Sequence, residues 1–247
     1  MRKGAFVTLF YLFPYFAPVA VLIAAAVIPA IVLLYYVYRA DRVEKEPPAL
    51  LGRLVLMGIL STSAAKLLEY VGITVLNLAF RSESLLYLAL LYFGVVGFAE
   101  EVSKYALLKR VTWNTPSFDC RFDGVVYAVF VSLGFALWEN IGYVMANGFG
   151  TALIRALTAV PGHACFGVFM GCWYAQARYL ENRGDADGSK SKRVMSVVVP
   201  ALLHGAYDFL ASATPRLSPW LFVIFVAALF IVTFRLVRTL SRTDHFI

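Results

Sequence analysis

The segment Phe98-Ala99-Glu100-Glu101-Val102-Ser103-Lys104-Tyr105 places two adjacent carboxylates and a lysine inside a stretch that is otherwise apolar from Leu85 to Leu108. Ionisable groups in hydrocarbon cost at least about 2.5–3.5 kcal/mol each on insertion scales, so a chain that keeps them there generally needs them for function. Polar residues also interrupt three later apolar stretches, at Glu139, at His163, and at His204 with Asp208. These positions together predict a polar site between membrane-spanning helices.

The composition is that of an integral membrane protein. Hydrophobic residues make up 61% of the 247 residues and charged residues 15%, whereas soluble domains carry about 25% charged residues. The mean hydropathy is +0.75, and several apolar runs reach the roughly 20 residues that a helix needs to cross a bilayer. We therefore predict an all-α, polytopic helical membrane protein. The net charge of +7 is interpreted as a determinant of topology, and no nucleic-acid partner is expected.

About seven transmembrane helices can be drawn in one integral membrane domain over residues 1–247. The first apolar run follows Met1-Arg2-Lys3 like a secretory signal, but it continues to Tyr38, which favours an uncleaved span. Lys66 and Glu69 interrupt the second span. The polar segment 181–193 predicts a mobile cytoplasmic loop. The predicted spans are residues 16–38, 51–79, 85–108, 124–146, 152–178, 194–213 and 218–237.

Basic residues predict the orientation of the spans. Fifteen lysines and arginines lie in the loops of one side and four on the other. Because basic loops stay in the cytoplasm, the N-terminus is expected outside and the C-terminus inside. The three cysteines, Cys120, Cys165 and Cys172, follow no metal-binding or paired spacing, and we interpret them as packing residues.

The pair Glu100 and Glu101 is arranged for two different tasks. Both residues are close enough to Lys104 along a helix, four and three positions away, to form an ion pair. They diverge from each other by about 100° around the helix, so one is expected to face Lys104 and the other the site. A purely structural ion pair is the alternative, but two acids leave a surplus negative charge beside one lysine.

The later polar residues follow the same helical spacing. Glu139 and Tyr143 are one turn apart. His204 and Asp208 have the same spacing, and an acid one turn after a histidine can orient its imidazole ring. Each group taken alone is also compatible with helix packing. Together they define the candidate catalytic residues Glu100, Glu101, Glu139, His163, His204 and Asp208, supported by Lys104, Tyr143 and Arg155.

This inventory fits activation of a water molecule, since no serine or cysteine nucleophile lies beside a base. Zinc accepts imidazole nitrogens and carboxylate oxygens, so His163, His204 and Glu139 are the candidate ligands, with a second glutamate as general base. Without a metal, a desolvated glutamate would act as base while histidines stabilise the oxyanion. The HExxH signature is absent, and the sequence leaves both mechanisms open.

The ordered motifs of the chain resemble those of the PrsW family of intramembrane proteases. The resemblance extends from about residue 39 to residue 213, and Trp138 stands where that family has Phe. The matching segments are Asp41 to Pro47 (DxxEKEP), Glu100 to Lys104 (EExxK), Phe122 to Tyr127 (FDGxxY), Trp138 to Tyr143 (FExxxY) and His204 to Asp208 (HxxxD).

The resemblance implies an all-helical fold related to the CAAX prenyl endopeptidases and cleavage of membrane-anchored proteins in a bacterial cell membrane. The best-known role in the family is the first cut of an anti-sigma factor. Such families have been described both as metalloproteases and as glutamate proteases, so the resemblance leaves zinc as a candidate cofactor only.

Two other classes of function use the same residues. Intramembrane carboxylates and histidines also form relays in proton-coupled transporters and channels, although no inverted repeat of the transporter kind is evident. A catalytically inactive membrane scaffold is the second alternative. It has no support from the residues, because every ionisable position of the motifs is present.

Overall fold

The computed structural model describes residues 3–80, 84–214 and 216–247, with side chains from residue 19 onward. Over these ranges the chain is helical and contains no β-strand, which confirms the predicted all-α class. The helices are α1 (Lys3–Ala40), α2 (Pro48–Ala79), α3 (Leu85–Ala89), a π-helix (Leu90–Val96), α4 (Gly97–Thr112), α5 (Asp123–Asn147), α6 (Phe149–Leu157), α7 (Ala159–Asn182), α8 (Ala186–Ser212) and α9 (Pro219–Arg242).

Seven helical segments in the described ranges are long and apolar enough to cross a membrane, as predicted. The second span is one unbroken helix, α2, in spite of Lys66 and Glu69. The third span consists of α3, the π-helix and α4 in succession. The fifth is divided into α6 and α7 by a break at Thr158, whose φ and ψ of −126° and −66° are not helical.

The predicted loop over residues 181–193 is wrong in its length. Helix α7 continues to Asn182, and α8 already begins at Ala186. The turn between them is tight because Gly184 takes a φ of +80°, which favours glycine. Asp185 then caps α8 by accepting a 2.8 Å hydrogen bond from the Gly188 amide. Composition indicated a flexible segment, but these two local signals favour a helical hairpin.

Helix α5 forms the centre of the bundle, where it packs against α1, α2 and α7. Every residue from Asp123 to Ala136 is buried. Small residues allow this packing: a Cβ on Gly124 would lie 2.8 Å from the Ala175 side chain on α7. Gly171 of α7 in turn contacts the backbone of Gly124. Close contacts with α7 therefore fix the first turn of the helix that carries Glu139.

A second close approach brings α4 and α8 together. A Cβ on Gly97 would lie 2.6 Å from the Ala201 carbonyl oxygen, and one on Gly205 would lie 2.8 Å from the Phe93 Cα. Side chains larger than hydrogen at these positions would force the helices apart. Glu100 lies one turn after Gly97, and His204 directly precedes Gly205. The two glycines therefore set the separation between the acids of α4 and the histidine of α8.

Acidic side chains are buried at the end of the bundle where α1 ends and α5 begins. Asp41 and Glu46 are only 2% and 4% exposed, and Asp123 at the start of α5 is 1% exposed. Burial raises the pKa of Asp41 to about 6, an effect that Lys45 partly offsets and Asp244 reinforces. Burial likewise raises the pKa of Glu46 to about 7. At mildly acidic pH these carboxyls therefore keep protons in the folded protein that they would lose in the unfolded chain.

This difference predicts that the protein is more stable in mild acid than at neutral pH. Because both pKa values are higher than the roughly 4 of an unfolded chain, their contribution to stability is complete below pH ~4 and is lost as the pH rises through about 6 to 7. We expect the melting temperature in detergent to fall between pH 5 and pH 8. Glu46→Gln should flatten this slope, whereas Asp187→Asn, at an exposed position near the start of α8, should keep it. An unchanged slope in Glu46→Gln would contradict the assignment.

Candidate active site

Lys104 lies at the centre of the polar site and is fully buried. Its Nζ is 2.6 Å from Glu101 Oε1 and 3.2 Å from Glu100 Oε2. The ammonium group also lies 4.1 Å from the centre of the Phe135 ring on α5. Both acids therefore reach the lysine, whereas the sequence suggested that only one would face it. They still differ in what else they face: Glu100 lines a cavity, and Glu101 lies behind it.

His163 connects the α4 cluster with α5. Its Nδ1 is 3.2 Å from Lys104 Nζ, and its Nε2 is 3.0 Å from Glu139 Oε2. Since an ammonium can only donate, Nδ1 accepts and Nε2 carries the hydrogen that Glu139 receives. The imidazole is therefore held at both ring nitrogens by groups from two other helices. It also packs against His204, with 5.1 Å between the ring centres.

Glu139 is held by a second group, Arg155 of the short helix α6. Arg155 Nη2 donates to Glu139 Oε2 over 2.8 Å, and Arg155 Nε donates to Asn140 Oδ1 over 2.8 Å. Asn140 in turn donates to the Ala26 carbonyl of α1 over 2.8 Å. The Tyr143 ring lies 4.0 Å from the guanidinium, and no hydrogen bond joins Tyr143 to Glu139 among the described residues. Tyr143 thus contacts Glu139 through the arginine.

His204 is surrounded by three carboxylates. Its Nδ1 lies 2.9 Å from Glu101 Oε1, while its Nε2 lies 3.8 Å from Glu100 Oε2 and 3.4 Å from Asp208 Oδ2. The ring is stacked on Phe166 of α7, with 4.7 Å between centres. Glu101 therefore fixes one nitrogen, and the other is directed to the cavity side, where it can donate or accept a proton.

A cavity of about 210 Å³ collects these groups. All six predicted catalytic residues lie together around it, and five of them line its wall, the exception being Glu101. The lining residues are Lys66, Glu69, Tyr92, Val96, Glu100, Glu139, Tyr143, Arg155, Ala159, His163, Phe166, His204, Tyr207, Asp208 and Ser212. Side chains of the α2, α4, α5, α6, α7 and α8 helices thus meet at one polar space.

Several contributors were not found from the sequence. Lys66 and Glu69 form a 2.8 Å ion pair beside the cavity, although they were read only as interruptions of α2. Asn140 supports Arg155, and an amide inside the apolar α5 next to Glu139 was the available signal. The π-helix before α4 had no signal in the sequence. Such wide turns occur often at functional sites, and this one carries Tyr92 and Val96 to the cavity wall.

The donors that suit a metal ion differ from the predicted set. Ligand atoms of Glu100, Glu101, His163 and His204 all lie within 4.8 Å of one another. Glu139 is not in this group, because it is directed to Arg155 and His163 Nε2. The group fits zinc by its chemistry, since imidazole nitrogens and carboxylate oxygens are zinc donors. It also contains a buried carboxylate oxygen without a hydrogen-bond partner, Glu101 Oε2.

Comparison with known proteins identifies the family. The family model described as "PrsW family intramembrane metalloprotease" matches residues 46–235. The chain belongs to the PrsW family. Among its relatives, Protease PrsW of Bacillus subtilis (strain 168) is 35% identical over 216 residues, which cover 87% of this chain and 92% of that protein. Protease PrsW of Geobacillus kaustophilus (strain HTA426) is 37% identical over 202 residues, or 79% of this chain and 81% of that protein.

A third relative covers almost the whole of its own length. Protease PrsW of Halalkalibacterium halodurans is 32% identical over 224 residues, which cover 91% of this chain and 99% of that protein. No solved structure matches the chain. Membership in the PrsW family makes the protein an integral membrane protease. The transporter, channel and inactive-scaffold alternatives find no support in these comparisons.

The buried lysine predicts a large effect on stability. In Lys104→Met, Glu100 and Glu101 would share a buried site without a cation, and breaking a buried ion pair costs about 3–5 kcal/mol. We expect a matching decrease in the free energy of unfolding, which denaturant titration in mild detergent measures. Lys190→Met removes an exposed lysine of α8, so this control should change stability by less than about 1 kcal/mol. Equal effects of the two substitutions would contradict the central role of Lys104.

Proposed function

We propose that the cavity hydrolyses a peptide bond of a membrane-anchored protein with a water molecule activated by glutamate and histidine side chains. One observation carries the proposal: five ionisable candidates from four helices line one 210 Å³ cavity in a chain of the PrsW family. We place the protein in a bacterial cell membrane with its N-terminus outside and its C-terminus in the cytoplasm, on the distribution of basic residues.

Glu100 is the proposed general base. It is buried, it lines the cavity, and its Oε2 lies 3.2 Å from Lys104 Nζ and 3.8 Å from His204 Nε2. Glu100 takes one proton from water as the hydroxide oxygen bonds to the scissile carbonyl carbon. His204 donates a hydrogen bond to the oxyanion that forms. Glu100 then gives this proton to the leaving amine as the carbon–nitrogen bond breaks, which restores the Glu100 carboxylate.

The remaining groups are proposed to position these two. Glu101 and Asp208 contact opposite nitrogens of His204 and fix the ring. Glu139 and Arg155 form a cavity-lining ion pair that holds His163. Catalytic hydrogen-bonding groups work best when their rotamers are already set, because the reaction then needs no reorganisation. The Glu101, Asp208, Glu139 and Arg155 side chains provide that rigidity in this cavity.

A bound zinc ion would leave Glu100 as the base but would take over from His204 the stabilisation of the oxyanion. Glu101, His163 and His204 would hold the ion, which leaves Glu100 as the base and replaces Glu139 in the ligand set expected from the sequence. Two histidines and one carboxylate are a known set for catalytic zinc. When bound, such an ion supplies an activated water and polarises the scissile carbonyl. Support comes from the donor chemistry and the description of the family as metalloproteases.

We further propose that the substrate is a single-span regulatory protein, with a membrane-anchored anti-sigma factor as the candidate. This narrower proposal is supported by the resemblance of the motifs alone. The relatives carry the name of a protease without a substrate. Cleavage of a purified anti-sigma factor is therefore the direct test of this substrate.

Neutralising the base should abolish cleavage without unfolding the protein. Glu100→Gln keeps the shape of the side chain, and loss of a general base typically lowers the rate about 10²–10⁴-fold. The measurement is cleavage of a tagged anti-sigma factor reconstituted in the same liposomes. Asp187→Asn neutralises an exposed carboxylate near the start of α8; it is the matched control and should cleave normally. Normal cleavage by Glu100→Gln would refute the assignment of the base.

Metal removal tests the zinc assignment separately. We expect purified protein to contain zinc, and chelation to abolish cleavage until zinc is restored. His204→Ala should lose the bound metal, measured by elemental analysis, because it removes one of the proposed ligands. Cys165→Ser removes a buried thiol that belongs to neither group of possible metal ligands and should retain the metal. Full activity in metal-free protein would exclude zinc and leave the glutamate mechanism.

A further inference from the structure

A groove between α2 and α5 lies beside the active-site cavity. Its volume is about 540 Å³. Three residues, Lys66, Glu139 and Tyr143, line both the groove and the cavity. The groove and the space that holds the catalytic candidates are thus adjacent and share part of their walls. The full lining of the groove is Thr62, Ser63, Lys66, Phe135, Trp138, Glu139, Gly142, Tyr143, Ala146 and Asn147.

The two walls of the groove differ in chemistry. The α5 wall is largely apolar and includes the Trp138 side chain, which is 55% exposed. The α2 wall presents two hydroxyls and the Lys66 ammonium. Both helices cross the membrane, and the lining positions lie in the later part of α5 and the middle of α2. A ligand in the groove would therefore reach Glu139 from the side of the bundle.

We propose that this groove docks the membrane-anchored segment of the protein substrate, in extended form, beside the bond that is cut; the inference rests on the proposed proteolytic function. Adjacency to the cavity supports this occupant, because a chain lying in the groove contacts Glu139, which also lines the cavity. An intact helix has a diameter of about 10–12 Å with side chains and keeps its carbonyls in internal hydrogen bonds. An extended chain needs far less width and exposes the carbonyl that water must reach.

The polar wall supports an unwound substrate. Backbone groups released from a helix inside a membrane need new partners, since each unsatisfied group costs several kcal/mol. Ser63 and Lys66 of the α2 wall place a hydroxyl and an ammonium along the groove. Asn147 adds an amide from the last residue of α5. The Lys66 side chain is accessible to a ligand, since it is 57% exposed, whereas the side chain of its partner Glu69 is only 9% exposed. The apolar α5 wall would receive the side chains of the substrate.

A second groove of the molecule lacks these properties. The space between α1, α2 and α5 has a volume of about 370 Å³ and is lined mainly by aliphatic and aromatic residues such as Leu34, Val55 and Phe130. None of the catalytic candidates lines it. Gly52 lies in this second groove, as Gly142 lies in the first, and a Cβ on either glycine would meet no atom within 4 Å. A larger side chain at either glycine would therefore fill its own groove, so the two positions can be compared directly.

The test fills each groove with the same side chain. Gly142→Leu places a bulky group in the proposed docking groove, and one misfitting group in a pocket changes specificity by about 10–200-fold. We expect kcat/KM for a tagged single-span anti-sigma factor in liposomes to fall by at least ~10-fold, mainly through KM. Gly52→Leu should leave it unchanged. Equal cleavage by both variants would overturn the inference.

Cross-linking measures docking without cleavage and covers the case in which Gly142→Leu fails to fold. A photo-reactive amino acid replaces Ala146 in the Glu100→Gln protein, and a second variant carries it at Gly52. We expect the tagged substrate to be captured at 146 and not at 52. Capture of lipid alone at 146 would overturn the inference. Capture at 146 without cleavage by the wild type would refute proteolysis but not docking, and cleavage without capture would refute docking alone.

Discussion

The buried ammonium of Lys104 holds the site together. It contacts Glu100 and Glu101 on its own helix and His163 on α7, and Glu101 extends the connection to His204 on α8. Two carboxylates at full burial would repel each other strongly without a cation between them. The lysine thus makes it possible for acids from α4 and histidines from two other helices to share one small space.

That arrangement also depends on how closely the helices approach. Gly97 and Gly205 let α4 and α8 pack backbone against backbone, which brings Glu101 within 2.9 Å of His204. In a membrane, lipid tails are as apolar as leucine, so close packing and polar contacts hold helices together in place of the hydrophobic effect. The contacts between the ionisable residues therefore depend on the close helix packing that the glycines allow. Close packing also surrounds these charges with helices instead of lipid.

The site is rigid on one side and open on the other. Glu139 is fixed by Arg155 and His163 and, through Asn140, by the backbone of α1. Next to it, the Lys66 side chain in the groove between α2 and α5 is 57% exposed. A protease needs both properties, because its catalytic groups must be held still while a long substrate is admitted. This difference follows from how deeply each residue lies between the helices.

The sequence by itself determined the class of fold and the number of spans, and it predicted the candidate residues that the structure brings around one cavity. Apolar length predicts spans because lipid admits only backbones that satisfy their own hydrogen bonds, and the cost of buried charge marks Glu100, Glu101, Glu139, His163 and His204 as functional candidates. Helical spacing also predicted the Glu100–Lys104 and His204–Asp208 contacts, which are local. The ordered motifs predicted the family as well, since they extend over most of the chain.

Only the tertiary structure decided which carboxylate faces water. Glu100 lines the cavity and Glu101 does not, a difference that depends on where α8 packs rather than on spacing along α4. It also replaced Glu139 by Glu101 among the candidate metal ligands, because Arg155 on α6 comes close enough to bind Glu139. Contacts between residues that are distant in the chain depend on helix rotation and depth. A single sequence carries no direct signal for either.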